Sequence, residues 1–73
     1  MTNTLIQKKM KNWKAENLRK PDMKVWMSAD EWGAQLDMTI TPQRMAAMYK
    51  AGLVERCQNK AYYGDNKYRY NVI

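Results

Sequence analysis

The stretch that decides the fold reads SADEWGAQLDMTITPQRMAAMYKAGLVER, from Ser28 to Arg56. Two helix starts are written into it. Ser28-Ala29-Asp30-Glu31 is a capping box: the Ser28 hydroxyl takes a free N–H three residues on, and the Glu31 carboxylate returns to the N–H of Ser28. Asp30 and Glu31 also put two carboxylates in the first turn, facing the positive end of the helix. Trp32 and Leu36 follow at i and i+4 on one inner face, with Gly33 between them, where a neighbouring helix can approach closely. Asp37-Met38-Thr39-Ile40 is too short for another element and reads as a turn. Thr41-Pro42 then starts the second helix, with Thr as N-cap and Pro at the first helical position, where no hydrogen bond is lost. Met45 and Met48 form its inner face, Ala46 and Ala47 are strong helix formers, and Ala51-Gly52 closes it.

Outward from this core, the period of the sequence changes. Toward the N-terminus, Ile6, Met10 and Trp13 fall at i, i+4 and i+7, a helical stripe over residues 4–20 that Thr4 and Gln7 open as a capping box and Pro21-Asp22 ends. Val25-Trp26-Met27 is a short strand candidate. Toward the C-terminus, Leu53 to Cys57 alternate, and Tyr68, Tyr70 and Val72 recur every second residue. Gly64-Asp65-Asn66-Lys67 supplies turn chemistry between them, so residues 53–73 read as a hairpin whose first arm runs roughly from 53 to 63. The expected architecture is α+β, in the order α-β-α-α-β-β, within one domain spanning residues 1–73.

Composition narrows the function. The chain has 73 residues, 13 Lys+Arg, 7 Asp+Glu and a net charge of +6, so its partners are expected to be acidic. There is no histidine and one cysteine, Cys57, which removes internal disulfides, the usual zinc ligands and every Ser-His or Cys-His catalytic arrangement. Ser28 is the only serine and serves as a cap. No carboxylate pair has the spacing of a metal or glycosidase site, so neither enzyme activity nor a cofactor is expected. No apolar run approaches the roughly 18 residues of a membrane span, and no signal-peptide pattern opens the chain, which leads to the expectation of a cytoplasmic protein. With 7 Met, 3 Trp and no Phe, the core is expected to be anchored by Trp13, Trp26 and Trp32. Charge is also segregated. Residues 1–24 hold seven basic side chains against Glu16 and Asp22, residues 25–41 hold Asp30, Glu31 and Asp37 alone, and residues 42–73 turn positive again.

The order of these elements, with Ser28 to Met38, Thr41-Pro42-Gln43-Arg44 and the GLVER run Gly52 to Arg56, resembles the winged helix-turn-helix DNA-binding family. GLVER looks like the junction between recognition helix and wing in many small bacterial regulators, and a compact single-domain regulator of this kind resembles products of phage or mobile elements. The apolar pair Met45 and Met48 arrives two residues later than in the tightest helix-turn-helix, so the turn is longer. No long dimerisation helix follows, so a palindromic site is not implied. The resemblance implies that the helix from Pro42 lies in the major groove of double-stranded DNA and the hairpin loop touches the backbone or minor groove. Gln43, Arg44, Ala47 and Lys50 would then face the DNA, Arg44 pairing with guanine and Gln43 with adenine. Lys50, Arg56, Lys60, Lys67 and Arg69 would meet phosphates, and Thr39 and Thr41 would add hydroxyl or backbone N–H contacts.

Plainer roles exist for several of these residues. Arg44 and Lys50 also fit a solvated helix face. Tyr62 and Tyr63 fit cross-strand packing better than base stacking, and Tyr68 and Tyr70 fit the core or strand pairing. Cys57 reads as a small strand residue. The basic first helix extends the DNA footprint, packs underneath with incidental charge, or, least well supported by its narrow apolar face, meets a membrane. The alternative function is a winged-helix protein-interaction module, an adaptor or inhibitor of a larger complex that contacts a protein partner through the first helix or the wing without binding DNA.

Overall fold

The computed structural model describes residues 2–20, 22–60 and 67–73. Three helices precede one antiparallel hairpin: α1 (Asn3–Asn17), α2 (Ala29–Leu36), α3 (Pro42–Lys50), β1 (Val54–Gln58) and β2 (Tyr68–Val72). The order and the α+β class agree with the sequence reading. The proposed Gly64-Asp65-Asn66 turn, Tyr62 and Tyr63 lie outside the described residues.

The central helices start and stop where their side chains require. Glu31 N donates to Ser28 Oγ and Ser28 N to Glu31 Oε1, each at 3.3 Å, completing the capping box. α2 ends on Asp37 in the left-handed region, φ 55°. The chain then folds straight back. Met38 N donates to Gly33 O at 2.9 Å, and a Cβ on Gly33 would lie 2.6 Å from Met38 O. Gly33 therefore makes room for the backbone of the turn, not for a neighbouring helix. α3 opens on Thr41, whose Oγ1 accepts from Arg44 N at 3.1 Å. It closes with Gly52 N on Tyr49 O and Leu53 N on Met48 O, the paired bonds of a Schellman motif, with Gly52 at φ 77°.

The flanks differ from expectation. α1 is capped by Thr2, not Thr4, with Leu5 N on Thr2 Oγ1 at 3.2 Å. Gln7 is thereby free of a capping box and donates instead to Leu53 O and Ile73 O, both at 3.2 Å, pinning α1 to the base of the hairpin. α1 also stops at Asn17, short of Pro21, where the Asn17 amide donates back to Trp13 O at 2.8 Å and Leu18 turns extended. The strand expected over 25–27 is a single bridge, Met27 to Tyr70. The next N–H that would continue a ladder, that of Val25, donates to the Asn71 side chain at 2.9 Å, so backbone pairing goes no further. β1 ends at Gln58, sooner than expected, although Asn59 N still reaches Lys67 O at 2.9 Å.

The core gathers Ile6 and Met10 of α1, Ala29 and Trp32 of α2, Ile40 of the turn before α3, Met45 and Met48 of α3, Val54 of β1, and Tyr70 and Val72 of β2. Trp32 is wholly buried, donates its indole N–H to Tyr70 O at 2.7 Å, and meets the half-buried Trp13 edge-on at 5.4 Å between centroids. Trp26 is no core anchor: it is half-buried, with the Lys24 ammonium 5.7 Å from its ring.

β1 and β2 pair in register from Val54–Val72 to Gln58–Tyr68, so residues 54, 56, 58, 68, 70 and 72 share one face and 55, 57, 69 and 71 the other. On that second face Asn71 is a hub. Its Oδ1 accepts from the buried Lys14 ammonium at 3.0 Å as well as from Val25 N, and its Nδ2 donates to Glu55 Oε1 at 2.8 Å. Lys24 pairs with the same carboxylate at 3.2 Å. Burial holds the Lys14 ammonium below the usual lysine range, opposed by the charges of Glu55 and Asp22. The Asn71 and Lys24 hydrogen bonds hold Glu55 below the usual carboxylate range.

Three outcomes follow from these contacts. Trp32→Phe removes the bond to Tyr70 O and part of a core ring, an expected loss of about 2 kcal/mol and a fall in Tm on the order of 10 °C by calorimetry, whereas Trp26→Phe leaves Tm nearly unchanged. Gly33→Ala, which drives a Cβ into backbone, should cost more than Gly52→Ala, where the cost is that of a left-handed alanine, about 1 kcal/mol. The stabilisation from Glu55 is present above the unfolded carboxylate pKa and lost as pH falls through its lowered folded value. The gap in urea midpoint between wild type and Glu55→Gln should therefore close on acidification.

Candidate nucleic-acid interface

Because Met45 and Met48 are wholly buried, the opposite side of α3 is fixed in solvent. Gln43, Ala47 and Lys50 are exposed at i, i+4 and i+7 and form one outward stripe. The neighbouring stripe, Pro42, Ala46 and Tyr49, turns toward the hairpin. There Ala29, Pro42, Gln43, Ala46, Arg56, Lys67, Tyr68 and Tyr70 line a cleft of about 250 Å³. Its lining is mostly apolar, and among the described residues that line it the charged ones are Arg56 and Lys67, with no carboxylate.

Arg56 is the most constrained cation in this region. It projects from β1 on the face shared with Tyr68 and Tyr70, and its guanidinium carbon lies 4.2 Å from the ring centroids of both Tyr49 and Tyr68. One aromatic ring comes from the last turn of α3 and the other from the start of β2. Arg56 is paired across the hairpin with Tyr70, whose phenol lies within its electrostatic reach. Burial raises the pKa of that phenol, while the charge of Arg56 opposes the rise.

The remaining sequence-predicted residues divide. Thr39 is exposed in the turn, and the Thr41 hydroxyl is already engaged as the cap of α3. Lys60 and Lys67 are exposed at the two ends of the hairpin loop. Arg44 is half-buried at the α1 edge of α3, not on the outward stripe, and its Nη1 donates to Asn3 Oδ1 at 2.9 Å. Arg69 lies on the other face of the hairpin, across from Cys57. It is half-buried, and its Nε is buried with no hydrogen-bond partner among the described residues. The structure thus brings Gln43, Ala47, Lys50, Arg56 and Lys67 together around α3 and its cleft, and it separates Arg69 from them.

Tyr49, Tyr68 and Ala46 belong to this surface and were not among the expected site residues. Tyr68 pairs with Gln58 in the hairpin, as expected of a strand residue, but it lies outside the core: it is 38% exposed, with its ring against Arg56. The signal was present. Arg56 pairs with Tyr70, so Tyr68 is its diagonal cross-strand neighbour on the same face. Tyr49 is legible only once α3 is packed on the hairpin.

The basic N-terminal segment has other surroundings. Lys11, Lys14, Asp22, Lys24, Glu55 and Asn71 line a second depression, where two carboxylates stand among the lysines. No group of three or more His, Cys, Asp or Glu among the described residues is arranged to hold a metal ion. No helix among them is long and apolar enough to cross a membrane. Comparison of the chain with family models, with curated proteins and with solved structures finds no match.

The tie between Arg44 and Asn3 can be measured directly. A double-mutant cycle of Arg44→Ala and Asn3→Ala, followed by urea unfolding, should give a coupling of about 1 kcal/mol, since a hydrogen bond to a charged group is lost in either single variant.

Proposed function

We propose that this chain is a double-stranded DNA-binding protein of the winged-helix kind that acts as a small transcriptional regulator. In this reading α3 enters the major groove and the hairpin loop follows the adjacent backbone or minor groove. The observation that carries it is the outward stripe Gln43-Ala47-Lys50 lying beside a cleft lined by Arg56 and Lys67 with no carboxylate among the described residues that line it. A polyanion laid along α3 finds Lys50 on the outward stripe and Arg56 and Lys67 on the flank beside the hairpin.

The roles follow from position. Gln43 sits in the first turn of α3, the part of a recognition helix that meets base edges, and its amide can give and accept a hydrogen bond at adenine. Ala47, one turn on, leaves the backbone of α3 free to approach. Lys50, Lys60, Lys67 and Arg56 serve phosphates. Arg44 joins the reading surface only by giving up Asn3, so recognition through it carries the cost of that bond. The bridge from Met27 to Tyr70 adds support, because it ties the segment before α2 to the hairpin as a third strand would.

With four phosphate contacts, the affinity for random duplex should fall with salt at a log–log slope of about −3 to −4. Lys50→Ala should reduce that slope by about 1 and weaken all sequences alike. Gln43→Ala should relax preference at one base pair, at a cost of about 1–3 kcal/mol on the preferred duplex. Fluorescence anisotropy across a salt series measures both. No binding at low salt, together with stoichiometric capture of one protein from nuclease-treated lysate, would replace this reading with that of a protein-interaction module.

A further inference from the structure

We propose that Arg56, packed against the rings of Tyr49 and Tyr68, is a preformed receptor for a single phosphate group. On the DNA-binding reading, on which this proposal rests, that phosphate is a diester of the duplex backbone beside the groove occupied by α3.

The argument starts from the guanidinium plane. The centroids of two rings, one from α3 and one from β2, lie 4.2 Å from its central carbon, so the group is packed against aromatic surface while its N–H donors stay suited to in-plane hydrogen bonds. The buried Tyr70 is its cross-strand partner. Arg56 and Lys67 line the same cleft. A planar fork with fixed orientation matches two oxygens of one phosphate, and the Lys67 ammonium adds a second charge without competing for the plane. Ordinarily an exposed arginine loses rotamer freedom when it captures an anion. Here the stacking has already removed most of that freedom, so the ordering cost falls on folding and not on binding. Because one ring belongs to α3 and the other to β2, this packing also sets the spacing between the reading helix and the hairpin.

The second lysine-bearing depression fails the same test. Glu55 and Asp22 line it, and the Lys14 ammonium is already engaged with Asn71, so it offers an incoming anion no comparable field.

Three properties separate a fixed fork from a general positive charge. Lysine cannot replace Arg56, because an ammonium has no plane to stack. The tyrosines, which need not touch DNA themselves, act as positioning residues. The contact is also indifferent to sequence. Arg56→Lys should therefore lose duplex affinity by about tenfold, close to the loss from Arg56→Ala, although it keeps the charge. Tyr49→Leu combined with Tyr68→Leu should lose several-fold while Arg56 is intact.

The experiment measures binding of these variants to three duplexes of different sequence by anisotropy, with circular dichroism and Tm as folding controls. The Arg56 Nε–H resonance is followed by NMR during titration with duplex and, separately, with inorganic phosphate. A uniform loss across sequences in Arg56→Lys, with the Arg56 resonance shifting on duplex addition, supports the proposal. Folded Arg56→Lys binding all duplexes as tightly as wild type overturns it and leaves the DNA reading intact. A loss confined to duplexes with guanine at one position also overturns it, in favour of base reading. If no variant binds duplex but inorganic phosphate shifts Arg56, the receptor stands and the DNA reading falls. If neither ligand moves it, the receptor is overturned.

Discussion

The hydrogen bond from the Trp32 indole to Tyr70 O is the contact on which the other parts of this small fold converge. A tryptophan buried in a chain of this size provides most of its driving force through its area, but its N–H must find an acceptor or the burial is penalised. Tyr70 O is that acceptor, and it is shared with Met27 N, while Tyr70 N donates to Met27 O at 2.8 Å. One residue of β2 thus receives α2 and the segment before it. Trp13 closes the arrangement from α1, edge-on to the same indole. Helices and hairpin are locked by a few atoms, which suits a domain too small to build a second core.

With Trp32 anchored, the placement of α3 follows from a tight turn and two methionines. Gly33 lets the backbone of the turn return against α2, and Met45 and Met48 bury the inner side of α3. The outer side is then left to Gln43, Ala47 and Lys50, and the flank beside the hairpin to Tyr49. That flank holds the stacked Arg56. The same packing that stabilises the domain leaves a rigid cation beside an exposed helix, and this juxtaposition makes the surface suited to a polyanion.

The opposite face of the hairpin treats charge differently. Lys14 is buried, a costly place for an ammonium, and its partner is the neutral Asn71, with Glu55 acting through Asn71 and through space. This network fixes α1 and the 22–27 segment on the sheet, and it absorbs part of the positive charge of the N-terminal segment. Net charge read from the sequence therefore overstates what that segment can offer to a partner.

Caps, turns and apolar periods were legible from one end of residues 28–56 to the other, because each depends on neighbours within four positions. Ser28, Thr41, Gly52 and the methionine stripe act as their chemistry demands wherever the chain goes next. Most of the features that differ from expectation depend on partners far along the chain, while the cap of α1 at Thr2, its stop at Asn17 and the approach of Gly33 to Met38 are local. Gln7 bonds to Leu53 and Ile73, Val25 loses its strand to the Asn71 side chain, Arg44 turns to Asn3, and Arg69 falls on the face away from α3. By itself the sequence determined the elements, their order and the inner side of each helix, since those are local balances of hydrogen bonding and hydrophobic period. Only the tertiary structure decided which cations share a surface and which are already paired, because a long polar side chain goes to whichever acceptor the packing brings within about 3 Å.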